Sequence, residues 1–470
     1  MRSFVRVTLT VLAFTVAALA LPVTLGAVTL SASFENRYTQ RTDGIAPRPV
    51  PRPHDPAKPT AVVVVGNEGA VVSDALAPYE VLAATGAFNV YTVAPEARPV
   101  TLTGGLDLVP DLGFADLDRL LASTAPDVVV VPALPDLGEP TTRPVTDWLK
   151  RQSARGSLLM SVCNGSGVLA SAGLLDGRKA TAHWIRIGGF DDEFPAVDWI
   201  RGTRYVDDGT IVTTAGILSG IDGALRIAER FAGTEAARKA AEAVGWTHYS
   251  PGSSPPMTQN TFEAADTVVG FNTAFRWDKQ KLGILLTSGI RELELAAVFD
   301  TYGQSLAVET TAVGLDGTPI RSRHGLTFAP RGKPVPGDRL VVPGADAAAS
   351  HAADRYSALS PVYLHAGPGF PFDAVLEDLV RTTDTATTRW TARTLEYRTD
   401  HLALDGAAWP WTVTLRPFGL AVLGLLAAFG IRALYRPATR GDRSPRSAST
   451  AAPRGWRGRA RPARAGSPRR

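Results

Sequence analysis

Cysteine is almost absent: Cys163 stands alone in 470 residues. That excludes an intramolecular disulfide framework, and with it cysteine-based zinc and iron–sulfur centres. Histidine is scarce too. Its seven residues, at 54, 183, 248, 324, 351, 365 and 401, never fall at metal-ligand spacing, so no metal site and no cofactor is expected. Positive charge is in deficit except at the C-terminus, where Arg432 to Arg470 sets twelve arginines against one aspartate and lifts an acidic remainder to a formal +4. This basic run has no folded scaffold, so no nucleic-acid partner is expected. Residues 436–470 read instead as a disordered cytoplasmic tail that fixes orientation in a membrane.

Charge is missing altogether from residues 7 to 34, which follow Arg2 and Arg6. About 20 apolar residues cross the hydrocarbon of a bilayer, so residues 1–35 read as an N-terminal transmembrane anchor, a cleaved signal being the rival. A second span is expected at 408–435, with Arg416 snorkelling towards the headgroups and Trp409 and Trp411 as an aromatic belt. Both termini would then be cytoplasmic and the main domains extracytoplasmic, in the cell membrane. The lipid bilayer is an expected partner, and a dimer is possible.

Between the spans, 45% hydrophobic content in a chain of this length suffices for two cores. Residues 36–60 are Pro-rich and read as a stiff spacer. "AVVVVG" (61–66), "FNVYTVAP" (88–95), "APDVVVVPAL" (125–134) and "SLLMSV" (157–162) are strand-length apolar runs. Helical patterns at 74–86 and 143–156 alternate with them. "YVDDGTIVTTAG" (205–216) reads as a hairpin-like pair and 217–233 as a closing helix. The alternation predicts an α/β domain over 61–245, a flavodoxin-like parallel sheet with helices on both faces.

Cys163 falls where a strand gives way to a helix, the position of a nucleophile elbow. Asn164, Gly165, Ser166 and Gly167 are small enough for the sharp turn. A buried inert thiol is the alternative. "GSGVLA" (165–170) also fits a dinucleotide fingerprint, but it comes after several strands rather than the first, and no acidic residue ends a following strand about 20 positions on.

"VCNGSGVLASAGLLDGRKATAHW" and "VDDGTIVTTAGILSGIDGALRIAERFAG" resemble the ThiJ/PfpI family, of class I glutamine amidotransferase-like fold, nearest to isonitrile hydratases and the sensor halves of AraC-type regulators. The likeness covers about residues 58–235. It implies that Cys163 is the elbow thiol, that Asp74 approaches it from the loop after the first strand, and that His183 is the histidine twenty residues on. Asn164, Ala133 and Gly165 would supply pocket or oxyanion groups. Asn164 stands where the family's proteases carry histidine, and Ala133 lies in "VPALP" where a glycine pair is usual. Glutamine amidotransfer is disfavoured because no late His-x-Glu pair is present.

After a linker at 246–279, "KLGILLTSGIRELELAAVFDTYG" (281–303) tracks residues 61–83 at an offset of 220, matching Glu294 to Asp74 and Asp300 to Glu80. Residues 280–405 are therefore expected to form a degenerate second α/β unit, its likeness ending near 345. It would allow an intramolecular pseudo-dimer in place of a dimer. The reading is of a membrane-anchored, cysteine-dependent enzyme (hydrolase, hydratase or lyase type) with a small-molecule substrate. The alternative is a non-catalytic ligand-sensing or thiol redox-sensing domain.

Overall fold

The computed structural model describes residues 2–40, 52–122 and 124–434; the Arg-rich tail and most of the Pro-rich spacer lie outside them. Valine runs build the first sheet because β-branched side chains suit a pleat buried on both faces. Thr60–Val64, Val128–Val131 and Leu158–Ser161 are buried throughout. Seven strands lie in the order Tyr205–Asp207, Ile211–Thr214, Leu158–Ser161, Val128–Val131, Thr60–Val64, Asn89–Ala94, Leu112–Gly113. All neighbours are parallel except the first pair, the expected hairpin. The strand order reverses beside Thr60–Val64, the place where such sheets hold their sites.

Residues 280–363 form a second, parallel sheet, ordered Val308–Gly314, Gln280–Leu286, Arg339–Val342, Val362–Tyr363. Its helix Glu292–Ser305 packs against the first unit's Val72–Ala84. Strand Leu106–Val109 pairs antiparallel with Thr327–Ala329, setting Leu108 opposite Phe328, 220 positions later. These short strands were not foreseen, since "VTLTGGLDLV" offers too few residues for a periodic signal.

Two expectations need correction. The stretch 246–279 is not only linker, for Thr267–Phe275 is helical. Nor do the described parts of the Pro-rich segment stand off as a spacer. Arg52 is drawn onto the domain by Asp111 at 2.7 Å and by the carbonyl of Val90, and the Tyr38 hydroxyl shares a hydrogen bond with Thr103.

Among the described residues, two stretches are long and apolar enough to cross a membrane, one in helix Arg2–Glu35 and one in helix Trp411–Leu434. They pack on each other antiparallel, with Phe14 against Phe429 and Gly424 so close to Ala17 that a β-carbon would lie 2.0 Å from its carbonyl oxygen. Most of their other leucines, valines and phenylalanines are exposed. Arg416 is not a lone snorkelling charge: it forms a two-pronged pair with Asp278, both contacts at 2.6 Å, and lies over Trp277.

Candidate functional site

Strand Leu158–Ser161 runs through Val162 into Cys163, whose φ of 57° is left-handed. A residue with a β-carbon pays for that conformation, and such positions concentrate at functional turns. Helix Gly165–Ser171 starts at once. The turn closes because residue 165 is glycine; a β-carbon there would lie 2.1 Å from the Val131 carbonyl oxygen. The Asn164 backbone amide favours the Cys163 thiolate, against the effect of burial.

Asp74, third residue of helix Val72–Ala84, is buried. It is not that helix's cap: its Oδ2 accepts the Ala133 N–H at 3.0 Å, while Oδ1 has no partner among the described residues. Burial pushes the Asp74 carboxyl well above the usual carboxylate range, the Ala133 amide opposing and the nearby Asp300 and Glu396 adding to the rise. Burial likewise pushes the Cys163 thiol up, and the charge of Asp74 pushes it further. Each group thus favours its neutral form, and each resists ionisation of the other.

A cavity of about 550 Å³ lies over the thiol, lined by Cys163, Asn164, Ala133, His183, Val269 and Trp390 among others. Of the expected site residues, Cys163, Asn164, Ala133 and His183 line the cavity, while Asp74, fully buried, and Gly165 do not. Ala133's amide is taken by Asp74, and the Gly165 amide donates to Val162 at 2.8 Å. Neither is free for an oxyanion. Asn164, next to Cys163 in the turn, keeps its side-chain Oδ1 without a partner among the described residues. His183 donates from Nε2 to the Thr394 carbonyl at 2.8 Å and accepts the Ile185 N–H at Nδ1. Burial brings its pKa down to about 4, so the ring is neutral and positions the wall rather than moving protons.

Glu396 was missed from the sequence. It reaches in from the second unit, at a φ of 53°, with Oε2 accepting the Gly216 N–H at 2.5 Å and the Ser219 hydroxyl at 2.9 Å. Only glycine fits at 216, where a β-carbon would lie 2.2 Å from the Glu396 carboxyl carbon. Burial raises Glu396 to about 7, and its charge bears on both Cys163 and Asp74. No local motif marks it; the nearest signal is its place just after a helix end, where a left-handed residue is common.

A parallel sheet carrying a thiol on a left-handed strand-to-helix turn, with a carboxyl from the first crossover beside it, defines a flavodoxin-like α/β protein of the amidotransferase-like class. Residues 60–230 match the DJ-1/PfpI family. The isonitrile hydratase of Pseudomonas putida is 36% identical over 167 residues, 35% of this chain and 69% of that one. The HTH-type transcriptional regulator CdhR of Pseudomonas aeruginosa is 31% identical over 137 residues, 28% of this chain and 37% of the regulator. The crystal structure of Drosophila melanogaster DJ-1beta, 24% identical, covers 40% of this chain and 97% of that one at a TM-score of 0.34. The chain belongs to the DJ-1/PfpI family.

Proposed function

We propose that this chain is a membrane-anchored DJ-1/PfpI-domain protein whose Cys163 and Asp74 carry out hydration, hydrolysis or lyase-type chemistry on a small molecule outside the cytoplasm. The observation that supports this most is the left-handed Cys163 facing the cavity, next to a buried carboxyl with one unpartnered oxygen. A neutral thiol and a neutral carboxyl suit addition to an apolar multiple bond. Asp74 gives its proton to the substrate as the sulfur bonds to carbon, and the thiol proton returns to Asp74. Water then displaces sulfur, releasing the hydrated product and restoring the thiol. Asn164 would orient the polar end.

A ligand-sensing role is the second reading, and the committed amides of Ala133 and Gly165 favour it. Redox sensing has less support, because a buried, protonated thiol oxidises slowly. The hydratase relative suggests the test: small isonitriles offered to the purified chain. An enzyme gives a transient mass adduct on Cys163 and a formamide product, both lost in Cys163→Ser and slowed in Asp74→Asn. Saturable binding with no adduct and no product supports the sensor instead.

The anchoring is supported by the antiparallel helix pair, whose exposed apolar side chains have no protein cover and would be costly in water. With arginines at both outer ends, both termini would be cytoplasmic. Impermeant thiol labelling of single cysteines on a Cys163→Ser background tests this.

We also infer that residues 280–397 are a degenerate copy standing where a second subunit would. The shared sheet order and the Leu108–Phe328 pairing support it. So does a likeness past residue 345: Asp222 accepts Trp246 Nε1 at 3.0 Å, and Asp373, 151 positions on, accepts the hydroxyl of Tyr397, 151 beyond Trp246.

A further inference from the structure

The cavity over Cys163 has walls that run directly into the apolar helix pair. Arg37 and Tyr38 line it, four and five residues beyond the apolar stretch that ends at Ser33. At a rise of about 1.5–2.0 Å per residue, Arg37 lies about 6–8 Å past that end. The headgroup layer of a bilayer is itself about 5–8 Å deep on each face. A second wall makes the same connection. Val269 lines the cavity from helix Thr267–Phe275, whose other end touches the span: Phe275 lies 3.2 Å from where a β-carbon of Gly26 would stand, and Ser33 Oγ donates to the Thr273 carbonyl at 3.1 Å. Arg416, in the second apolar helix, donates to the Phe275 carbonyl at 2.7 Å. One short helix therefore joins both spans to the thiol cavity.

The surrounding surface has the character of a headgroup-level belt. Trp277 is 52% exposed beside Arg416, and Phe262 is 66% exposed. Phe262 packs on Trp184 and on the cavity residue Trp390. Tryptophan, with an apolar ring and one polar edge, favours that depth, as Trp277 would here. Inside, the lining is mostly apolar, includes Arg37 and Arg186, and contains no aspartate or glutamate. A cationic ligand meets no carboxylate on these walls, the nearest being the buried Asp74 and Glu396 behind them.

We propose that the Cys163 cavity opens at the lipid headgroup layer and takes neutral or anionic amphiphiles that reach it from the bilayer rather than from bulk water. This rests on the membrane-anchored thiol reading above and specifies its substrate class. The apolar tail would pass Val269 and Trp390 while the polar end settles near Asn164 and the thiol.

The single cysteine makes the test direct. The full chain is placed in phosphatidylcholine vesicles and treated with N-ethylmaleimide or N-dodecylmaleimide, and modification of Cys163 is followed by mass. A Cys163→Ser, Asp192→Cys variant, with the thiol on an exposed helix, gives the reference ratio of the two reagents. The dodecyl reagent is expected to gain about tenfold or more at Cys163 over that reference, because each added methylene favours partition into the layer the cavity faces. Val269→Trp, which narrows the wall, is expected to slow the dodecyl reagent several-fold more than the ethyl one. Equal reagent ratios at Cys163 and Asp192→Cys, in chain that floats with the vesicles, overturn the proposal while leaving the anchoring intact. Chain that does not float overturns both. Floating chain whose Cys163 resists both reagents, while Asp192→Cys reacts, overturns the accessible thiol site itself.

Discussion

Glu80 accepts the backbone N–H of Leu293 at 2.6 Å. The contact has a twofold counterpart, for Asp300 accepts the N–H of Ser73 at 3.4 Å. Glu80 and Asp300 are 220 positions apart, as are Ser73 and Leu293. Reciprocal contact of this kind is the mark of an isologous interface, here within one chain. Glu80 also pairs with Arg291 at 2.7 Å. Glu80→Ala leaves that guanidinium and the Leu293 amide without their acceptor, and is expected to cost about 3 kcal/mol. Urea unfolding reads it; a loss below about 1 kcal/mol contradicts a tight join between the units.

The elbow conformation makes its own prediction. Replacing Cys163 by alanine or glycine removes the thiol in both cases, but only glycine is at ease at a φ of 57°. Cys163→Gly is expected to be about 1 kcal/mol more stable than Cys163→Ala. Thermal unfolding of the two side by side checks this, and a more stable alanine variant argues against the left-handed turn.

Glu396 predicts a pH dependence. Its folded pKa of about 7 lies above the ordinary 4.5, so the folded state holds the proton more tightly. Its contribution is fully present below about pH 4.5 and is lost as pH rises through 7. Glu396→Gln, which keeps an acceptor for Gly216 and never ionises, is expected to gain stability over the natural chain between pH 5 and 8, by about 1–3 kcal/mol. A difference that does not change with pH contradicts a buried, protonated Glu396.

His183 runs the other way. Its folded pKa of about 4 lies below 6.5, so the folded state refuses the proton. Stability from the neutral ring is present above about pH 6.5 and is lost as pH falls towards 4. Relative to His183→Gln, the natural chain is expected to weaken by about 1–3 kcal/mol between pH 7 and 4.5. Parallel stability curves would instead mean a ring open to solvent.

The first unit was legible because its strands are long apolar runs separated by helical periods, a pattern read locally. Cys163 was legible for the same reason, since it follows a strand end, whereas Asp74, inside a helix, was reached only through the family resemblance. The second unit was harder. Its offset from the first is 220 up to the strand at 327–329, and 151 at Asp373 and Tyr397, so a fixed register loses the likeness after 345. The missing segment includes the elbow: the Leu364 N–H donates to Val342 as Val162 donates to Val131, which puts His365 where Cys163 stands. His365 is spent on backbone, accepting from Gly344 at 2.9 Å and donating to Pro371 at 3.1 Å. Glu396 was beyond local reading altogether, since its meaning lies in Gly216, 180 positions away, and in a tertiary fit no spacing encodes.

The central claim, that Cys163 and Asp74 act as a coupled pair, is tested most directly by the pH profile of Cys163 alkylation. The natural chain is expected to react with a midpoint above the ordinary thiol value of about 8.5, because burial and the Asp74 charge both oppose the thiolate. Asp74→Asn should move the midpoint down and speed alkylation at neutral pH, while Asp192→Asn leaves the profile unchanged. Superimposable profiles for the natural chain and Asp74→Asn would contradict the pair.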